Sequence, residues 1–152
     1  MKEPRTPAPL ARLAARLESA GIAVDLATTY CGQYYDGTDH YTAAPALYLT
    51  IDRSAPDFGA AQREAAEKIL KRYRKSFYTV WNYSLYHARA TVTTHEDRQR
   101  LKDAQRTADA FLTAFWRSMH ETAESSLTDR ARQAAAVAAG RAAIEREEEK
   151  TA

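Results

Sequence analysis

The most concentrated group of chemically distinctive side chains in this sequence is basic and lies within residues 68–75. The five cations there are Lys68, Lys71, Arg72, Arg74 and Lys75. Aromatic residues follow them at once, namely Phe77, Tyr78, Trp81, Tyr83 and Tyr86. Cationic side chains neutralise phosphates and aromatic rings stack on bases, so this combination is typical of a surface that contacts nucleic acid.

The positive charge of the chain is concentrated around this basic stretch. Residues 54–94 contain seven Lys or Arg against three acids, a local balance of +4, whereas the whole chain has a formal charge of only +2. A polyanion or an acidic partner would meet its strongest attraction here, and we predict that Arg89 and His87 extend the surface along a following strand. The alternative interpretation is a solvated helix end, whose cations complement the helix dipole, above an aromatic core.

Asp36, Asp39 and His40 surround Gly37 and belong to residue types that bind divalent metal ions. Their spacing is not that of an EF-hand loop, and an Asp-Gly pair followed by polar residues is typical of a hairpin turn. We interpret the segment as a turn. The sequence therefore predicts neither a metal site nor a cofactor.

The histidines and the one cysteine are candidate catalytic groups, but their spacing does not define a site. They are His40, His87, His95, His120 and Cys31. No nucleophile, base and orienting group can be assigned among them at a spacing that catalysis requires. The sequence therefore favours a protein that is not an enzyme. The alternative is an enzyme whose site is assembled only in three dimensions, around Asp36, His40 and His87.

Tyrosine is abundant, with nine residues in the chain, and five of them lie in or near the first predicted hairpin. These five are Tyr30, Tyr34, Tyr35, Tyr41 and Tyr48. On one face of a sheet, such residues would form a flat recognition surface, because tyrosine gives amphipathic contact area at low entropic cost. The predicted partner-binding aromatics are Tyr34, Tyr35, Tyr41, Tyr48 and Trp81. The alternative is that the rings pack inward and leave only their hydroxyls at the edge.

The elements that position these groups follow from the hydrophobic periodicity. Residues 1–9 carry three prolines and are predicted to be a flexible leader. Apolar residues at helical spacing then predict a first helix from Leu10, and Gly21 is well placed to end it. Beyond this glycine the period changes to two, and the Asp-Gly turn signal predicts a β-hairpin over residues 22–52.

The middle of the chain predicts a second helix and, after it, an ambiguous segment. Residues Ser54-Ala55-Pro56-Asp57 have the form of a capping box and predict a helix that ends near Lys75. In residues 76–94, strict alternation of apolar and polar side chains predicts a second hairpin, but the apolar residues also fit the period of one long helix. Because the stretch is poor in strong helix formers, we favour the hairpin.

The last third of the sequence predicts two helices. The longest apolar stripe in the chain follows a cap-like start at Thr94 and has Phe111 at its centre. A final helix is predicted from Ser126, and its apolar face is made almost entirely of alanine. Such a face buries little area per residue, so it suits close packing against another helix. A homodimer contact through this C-terminal helix is one prediction that follows.

Together these elements predict an α+β fold in the order α-ββ-α-ββ-α, with an alanine-rich C-terminal helix added. The two hairpins would form a four-stranded antiparallel sheet with helices packed mainly on one face, the second and third helices among them. The other face would be open for binding or covered by the first and last helices. In terms of domains, we expect a single α+β domain over residues 10–125 and a helical extension over residues 126–152.

The bulk properties limit the class of protein. No stretch approaches the roughly 18 apolar residues of a membrane span, and the first residues lack the apolar segment of a secretory signal. A single cysteine suits a reducing compartment. We therefore expect a small soluble cytoplasmic protein with no membrane partner. Its predicted function is that of an inhibitor, adaptor or assembly subunit that binds a nucleic acid or a nucleic-acid-handling protein complex.

Overall fold

A computed structural model describes residues 5–151 of the chain. In chain order its elements are α1 (Ala8–Ser19), β1 (Ala23–Tyr35), β2 (Asp39–Asp52), α2 (Ala60–Arg72), β3 (Phe77–Tyr83), β4 (His87–Thr94), α3 (His95–Glu121) and α4 (Asp129–Thr151). The predicted order of helices and strands is confirmed. The four strands form one antiparallel sheet in the order β1-β2-β4-β3, so the α+β fold class is confirmed as well. None of the described helices is both long and apolar enough to cross a membrane.

The start of α1 corrects the boundary of the leader that was predicted over residues 1–9. The helix already begins at Ala8, because Pro9 is accommodated in the first turn, where its missing N–H leaves no helical hydrogen bond unmade. Residues 1–4 of the predicted leader lie outside the described residues.

The predicted end of the first helix at Gly21 is confirmed. Gly21 has a φ of +78°, and its N–H donates to the carbonyl oxygen of Glu18 at 2.9 Å. The N–H of Ile22 donates to the carbonyl oxygen of Leu17 at 3.1 Å. This pair of bonds is the Schellman arrangement, which satisfies carbonyl groups that a helix end would otherwise leave free.

The ambiguous segment 76–94 forms the second hairpin, and the alternative of one long helix is wrong. β3 and β4 pair with Phe77 opposite Thr94 and Trp81 opposite Ala90. The turn between them is closed by the Ser84 N–H, which donates to the carbonyl oxygen of His87 at 2.9 Å. The aromatic and β-branched side chains of β3 suit a pleated, half-buried strand better than a helix.

The chain forms two compact units that interleave along the sequence. Of the described residues, unit 1 comprises 5–29 together with Ala43–Gln99, and unit 2 comprises Tyr30–Thr42 together with 100–151. The strands β1 and β2 and the helix α3 each contribute residues to both units. Compactness does not show that a unit folds by itself, so the predicted division at residues 125 and 126 stays a prediction.

In unit 1 the core lies on one face of the sheet, against α1 and α2. Alternate residues of β2 and β4 face it, and the register places Leu47 opposite Val92 and Leu49 opposite Ala90. The helical residues buried against this face are Leu10, Leu13, Ala14, Leu17, Ala66 and Leu70. The first helix therefore packs on the same face as the second, which corrects the interpretation that it would cover the other face.

In unit 2 the core is centred on Phe111 of α3, whose side chain is 1% exposed. Its ring lies 4.7 Å from that of Tyr34 and 5.9 Å from that of Phe115, measured between ring centres. The helix α4 approaches the ring through Gly140, where a Cβ atom would lie well inside van der Waals contact with the ring. The alanine-rich face of α4 thus packs within the chain, and the homodimer contact through this helix stays a prediction.

Candidate nucleic-acid interface

All five predicted cations lie on the surface of unit 1, around the C-terminal end of α2. Three of them, Lys68, Lys71 and Arg72, belong to the last two turns of the helix. The other two, Arg74 and Lys75, lie in the turn that follows it. Together they line a single open hollow of about 570 Å³, so the residues that the sequence singled out form one basic cluster.

Few acidic groups neutralise the basic cluster. Lys68 Nζ lies 3.7 Å from a carboxylate oxygen of Glu64, and both side chains are largely exposed, so this pair contributes little. The other four cations have no ion-pair partner in the part of the chain that the structure describes, namely Lys71, Arg72, Arg74 and Lys75. Unpaired like charges repel one another, and an anion that binds between them relieves this repulsion.

Helix capping does not account for the cluster. Backbone hydrogen bonds already close the end of the helix. The N–H of Tyr73 donates to the carbonyl oxygen of Leu70 at 3.0 Å, and the N–H of Phe77 donates to the carbonyl oxygen of Tyr73 at 2.9 Å. His95 Nε2 donates to the carbonyl oxygen of Arg74 at 2.7 Å. The helix dipole is equivalent to about half a charge, so it favours a cation or two in the last turn but does not call for five.

A second hollow, of about 340 Å³, lies between α2 and β3, and we call it the α2–β3 groove. Lys71 and Arg74 line both hollows, so the basic cluster continues into this groove. Its apolar and aromatic lining includes Leu70, Phe77, Tyr78 and Trp81. Glu67 also lines the groove, but its carboxylate accepts a hydrogen bond from Arg63 Nε at 3.1 Å, which offsets its charge.

Two arginines that the sequence analysis did not assign to the site stack on its aromatic rings. The guanidinium carbon of Arg98 lies 3.2 Å from the ring centre of Tyr78. The guanidinium carbon of Arg63 lies 5.0 Å from the ring centre of Tyr83 and 5.9 Å from the ring centre of Trp81. These are cation–π contacts, which hold planar cations beside the rings. No local sequence signal marks them, because each joins a helix to a strand that is distant along the chain.

Arg89 and His87 do not extend the basic cluster in the predicted way. Their neighbours Ala88 and Ala90 are buried in the core on the side of the sheet where α2 packs. Alternation along β4 therefore turns Arg89 and His87 to the opposite face. There the guanidinium carbon of Arg89 lies 5.9 Å from the ring centre of Tyr48. The position of both residues on a strand was predictable from sequence, but the face of the sheet that α2 covers was not.

The predicted tyrosine surface is divided by the same alternation. Tyr34 is half-buried in unit 2, where its ring stacks on that of His40 at 4.5 Å between centres, while the adjacent Tyr35 is 63% exposed. Tyr41 packs edge-on against Tyr30 at 5.7 Å. Consecutive residues of a strand point to opposite faces, so Tyr34 and Tyr35 do not share one flat surface. The role of these tyrosines in partner binding stays a prediction.

Two of the three residues of the enzyme alternative lie together, Asp36 in the turn between β1 and β2 and His40 at the start of β2. His40 Nε2 donates to Asp36 Oδ1 at 2.9 Å, and Arg141 Nε donates to Asp36 Oδ2 at 3.2 Å. The N–H of Thr38 also donates to Asp36 Oδ1, at 3.2 Å. The third residue, His87, belongs to unit 1, whereas Asp36 and His40 belong to unit 2.

The Asp36 carboxylate is occupied by these donors and anchors the turn to α4. Burial raises the pKa of Asp36, but the hydrogen bonds from His40, Arg141 and Thr38 outweigh it, and the pKa lies below its ordinary value of 3.8. The arrangement favours a structural role for this carboxylate. Among residues 5–151, no group of three or more His, Cys, Asp and Glu residues is placed to hold a metal ion.

Acid is expected to remove the contribution of Asp36 to stability. The folded pKa is lower than the unfolded one, so the ionised carboxylate stabilises the fold above pH 3.8, and this stabilisation is lost as the pH falls through the folded pKa. Asp36→Asn should therefore unfold at a lower urea concentration than the wild type at neutral pH, and the difference should shrink below pH 3.8. Asp39→Asn is the control, because Asp39 is exposed and makes no ion pair within the described chain. A difference that is independent of pH would contradict this role.

Comparison with known proteins adds no functional information. The chain matches no protein family, no curated protein and no solved structure. A fold does not by itself fix a function, so the function has to be inferred from the geometry and chemistry of the site.

Proposed function

We propose that this protein is a non-enzymatic interaction module that binds nucleic acid through the basic cluster at the end of α2. One observation carries the proposal. Five exposed cations line one open hollow, and four of them have no acidic partner in the described part of the chain. A surface of this kind attracts polyanions and offers a cationic contact to each of several successive phosphates.

The α2–β3 groove favours nucleic acid over an acidic protein as the ligand. The carboxylates of an acidic protein would pair with the cations but would not stack on the rings, whereas a nucleic acid offers phosphates to the cations and planar bases to the rings. Trp81 lines the groove together with Lys71 and Arg74, so both kinds of contact are within reach of one ligand. Binding of this kind would also suit an adaptor or a subunit of a nucleic-acid-handling complex.

Reversing two charges that line both hollows is expected to weaken binding and to reduce its dependence on salt. If all five cations contact phosphates, the logarithm of the binding constant should fall against the logarithm of the salt concentration with a slope of about −4.5 for a DNA duplex and about −3.5 for a single strand. Lys71→Glu combined with Arg74→Glu should change these slopes to about −2.7 and about −2.1 and lower the affinity at low salt at least about tenfold. Fluorescence anisotropy of labelled single- and double-stranded DNA and RNA over a series of salt concentrations measures both quantities.

The matched control combines Arg12→Glu with Arg16→Glu, which changes the net charge equally at exposed positions of α1. This variant should bind nearly as tightly as the wild type. Equal weakening by both double variants would indicate diffuse attraction and contradict a defined site. Absence of binding by the wild type at low salt would contradict the proposed function. Binding of polyglutamate without binding of any nucleic acid would assign the cluster to an acidic protein partner instead.

A further inference from the structure

The α2–β3 groove leads from the basic cluster along the edge of the sheet. The order β1-β2-β4-β3 makes β3 an edge strand. Lys71 and Arg74 line the groove together with Phe77 at the start of this strand, and Arg63 lies over Tyr83 at its end. The helix and the strand therefore lie side by side in opposite directions, and a ligand in the groove would pass from cations to aromatic rings.

Two rings at the far end of β3 form a short ladder. Trp81 and Tyr83 are two residues apart, so their side chains leave the strand on the same side, about 7 Å apart. Their ring centres are 6.3 Å apart and their planes differ by only 13°. Trp81 is partly buried against the core of unit 1, whereas Tyr83 is 51% exposed. The ladder is therefore fixed at one ring and accessible at the other.

Two arginines flank this ladder, and of these two only Arg53 carries a charge that no ion pair among the described residues offsets. Arg63 lies over both rings, and its bond to Glu67 holds the guanidinium group in place. The guanidinium carbon of Arg53 lies 5.9 Å from the ring centre of Tyr83. A guanidinium group both stacks on a planar base and donates hydrogen bonds to phosphate, so each of these arginines suits a nucleotide bound at the ladder.

A ladder of rings beside a row of cations distinguishes a single strand from a duplex. In a duplex the faces of the bases are stacked on one another, and only unpaired, unstacked bases are available to aromatic side chains. A duplex would thus contact the basic cluster and gain nothing from the rings. We infer that the ligand of this site is single-stranded nucleic acid, with its phosphates on the basic cluster and a base stacked on Tyr83. This inference rests on the proposed function.

Removal of the accessible ring tests the inference. Tyr83→Ala should weaken the binding of oligothymidylate about 5- to 150-fold and leave the binding of a duplex unchanged. Because tyrosine carries no charge, the salt dependence of oligothymidylate binding should also stay the same. The matched control is Tyr86→Ala, since Tyr86 is 75% exposed in the turn after β3 and is not part of the ladder of Trp81 and Tyr83. The control should bind oligothymidylate as the wild type does.

A fluorescence measurement on the wild-type ladder gives a second, independent test. The chain contains two tryptophans, so Trp116→Phe leaves Trp81 as the only one. Trp116 lies in unit 2 and is 63% exposed, which makes this substitution mild. Oligothymidylate should quench the fluorescence of Trp81, because a base stacks on the ladder, whereas inorganic polyphosphate should bind without quenching.

The outcomes separate the inference from the proposed function. Weaker oligothymidylate binding by Tyr83→Ala, together with quenching of Trp81, would support both. Equal binding of single strands and duplexes, unaffected by Tyr83→Ala and without quenching, would overturn the inference and leave the proposed function standing. No binding of any nucleic acid by the wild type would overturn the proposed function, and the inference with it.

Discussion

Replacing Phe111 with alanine is expected to lower the free energy of unfolding by about 3–5 kcal/mol. The ring is 1% exposed and lies between those of Tyr34 and Phe115. On a further side it contacts the backbone of α4 at Gly140, which has no side chain to move into the vacated space. Because its neighbours belong to strands and helices, the cavity cannot collapse completely, and the cost should approach the upper end of this range.

Trp116→Ala is the matched control for Phe111→Ala, since Trp116 is on the same helix and 63% exposed. Most of this larger ring is already in water, so its loss should cost much less than the loss of Phe111. Urea unfolding followed by far-ultraviolet circular dichroism gives both free energies. If both variants lost an equally small part of the free energy of unfolding, Phe111 would not lie at the centre of the core of unit 2.

Replacing Gly32 with alanine is expected to lower the free energy of unfolding by about 2–5 kcal/mol, from two separate causes. Gly32 has a φ of +72°, a conformation that costs a residue with a Cβ atom about 1–2 kcal/mol. A Cβ atom there would also lie 2.5 Å from the carbonyl oxygen of Ala104 and 2.8 Å from its Cβ atom. Relief of that overlap requires β1 and α3 to move apart in unit 2, which adds about 1–3 kcal/mol.

Gly21→Ala separates the two causes. Gly21 has nearly the same φ, +78°, but no heavy atom lies within 4 Å of the position of the added Cβ atom. This control should therefore lose only the conformational part, about 1–2 kcal/mol. The difference between the two variants in urea unfolding measures the contact with Ala104. If Gly32→Ala were no more destabilising than Gly21→Ala, the close approach of β1 to α3 would be ruled out.

The order of the elements was predictable because each depends on neighbours in the sequence. The helical stripe around Phe111, the turn signal at Asp36-Gly37 and the helix end at Gly21 are all set by residues within a turn or two. The segment 76–94 was ambiguous because its apolar residues fit both periods. The structure pairs β3 with β4, so the segment forms the hairpin, in agreement with the poor helix propensity of that stretch.

The basic cluster was also predictable from sequence. Its five cations fall within residues 68–75, and a helix end with the turn after it keeps such close positions together on one surface. The same local reasoning could not show that the cluster opens into a groove, because the groove needs α2 to lie against β3. It also could not assign Arg63 and Arg98, whose ring contacts join a helix to a strand.

Local patterns were enough to predict the helices, the strands, the two hairpins and the basic cluster, since short-range periodicity, turn chemistry and charge are local properties. The tertiary structure was needed to show that α1 and α2 cover the same face of the sheet. That arrangement placed the first helix beside the second and turned Arg89 and His87 away from the basic cluster. It also aligned α2 with β3, so that Trp81 lines one groove with two of the cations and the ring of Tyr83 stacks on that of Trp81. The physical reason is that burial of one sheet face depends on packing between residues far apart in the chain, which no local pattern encodes.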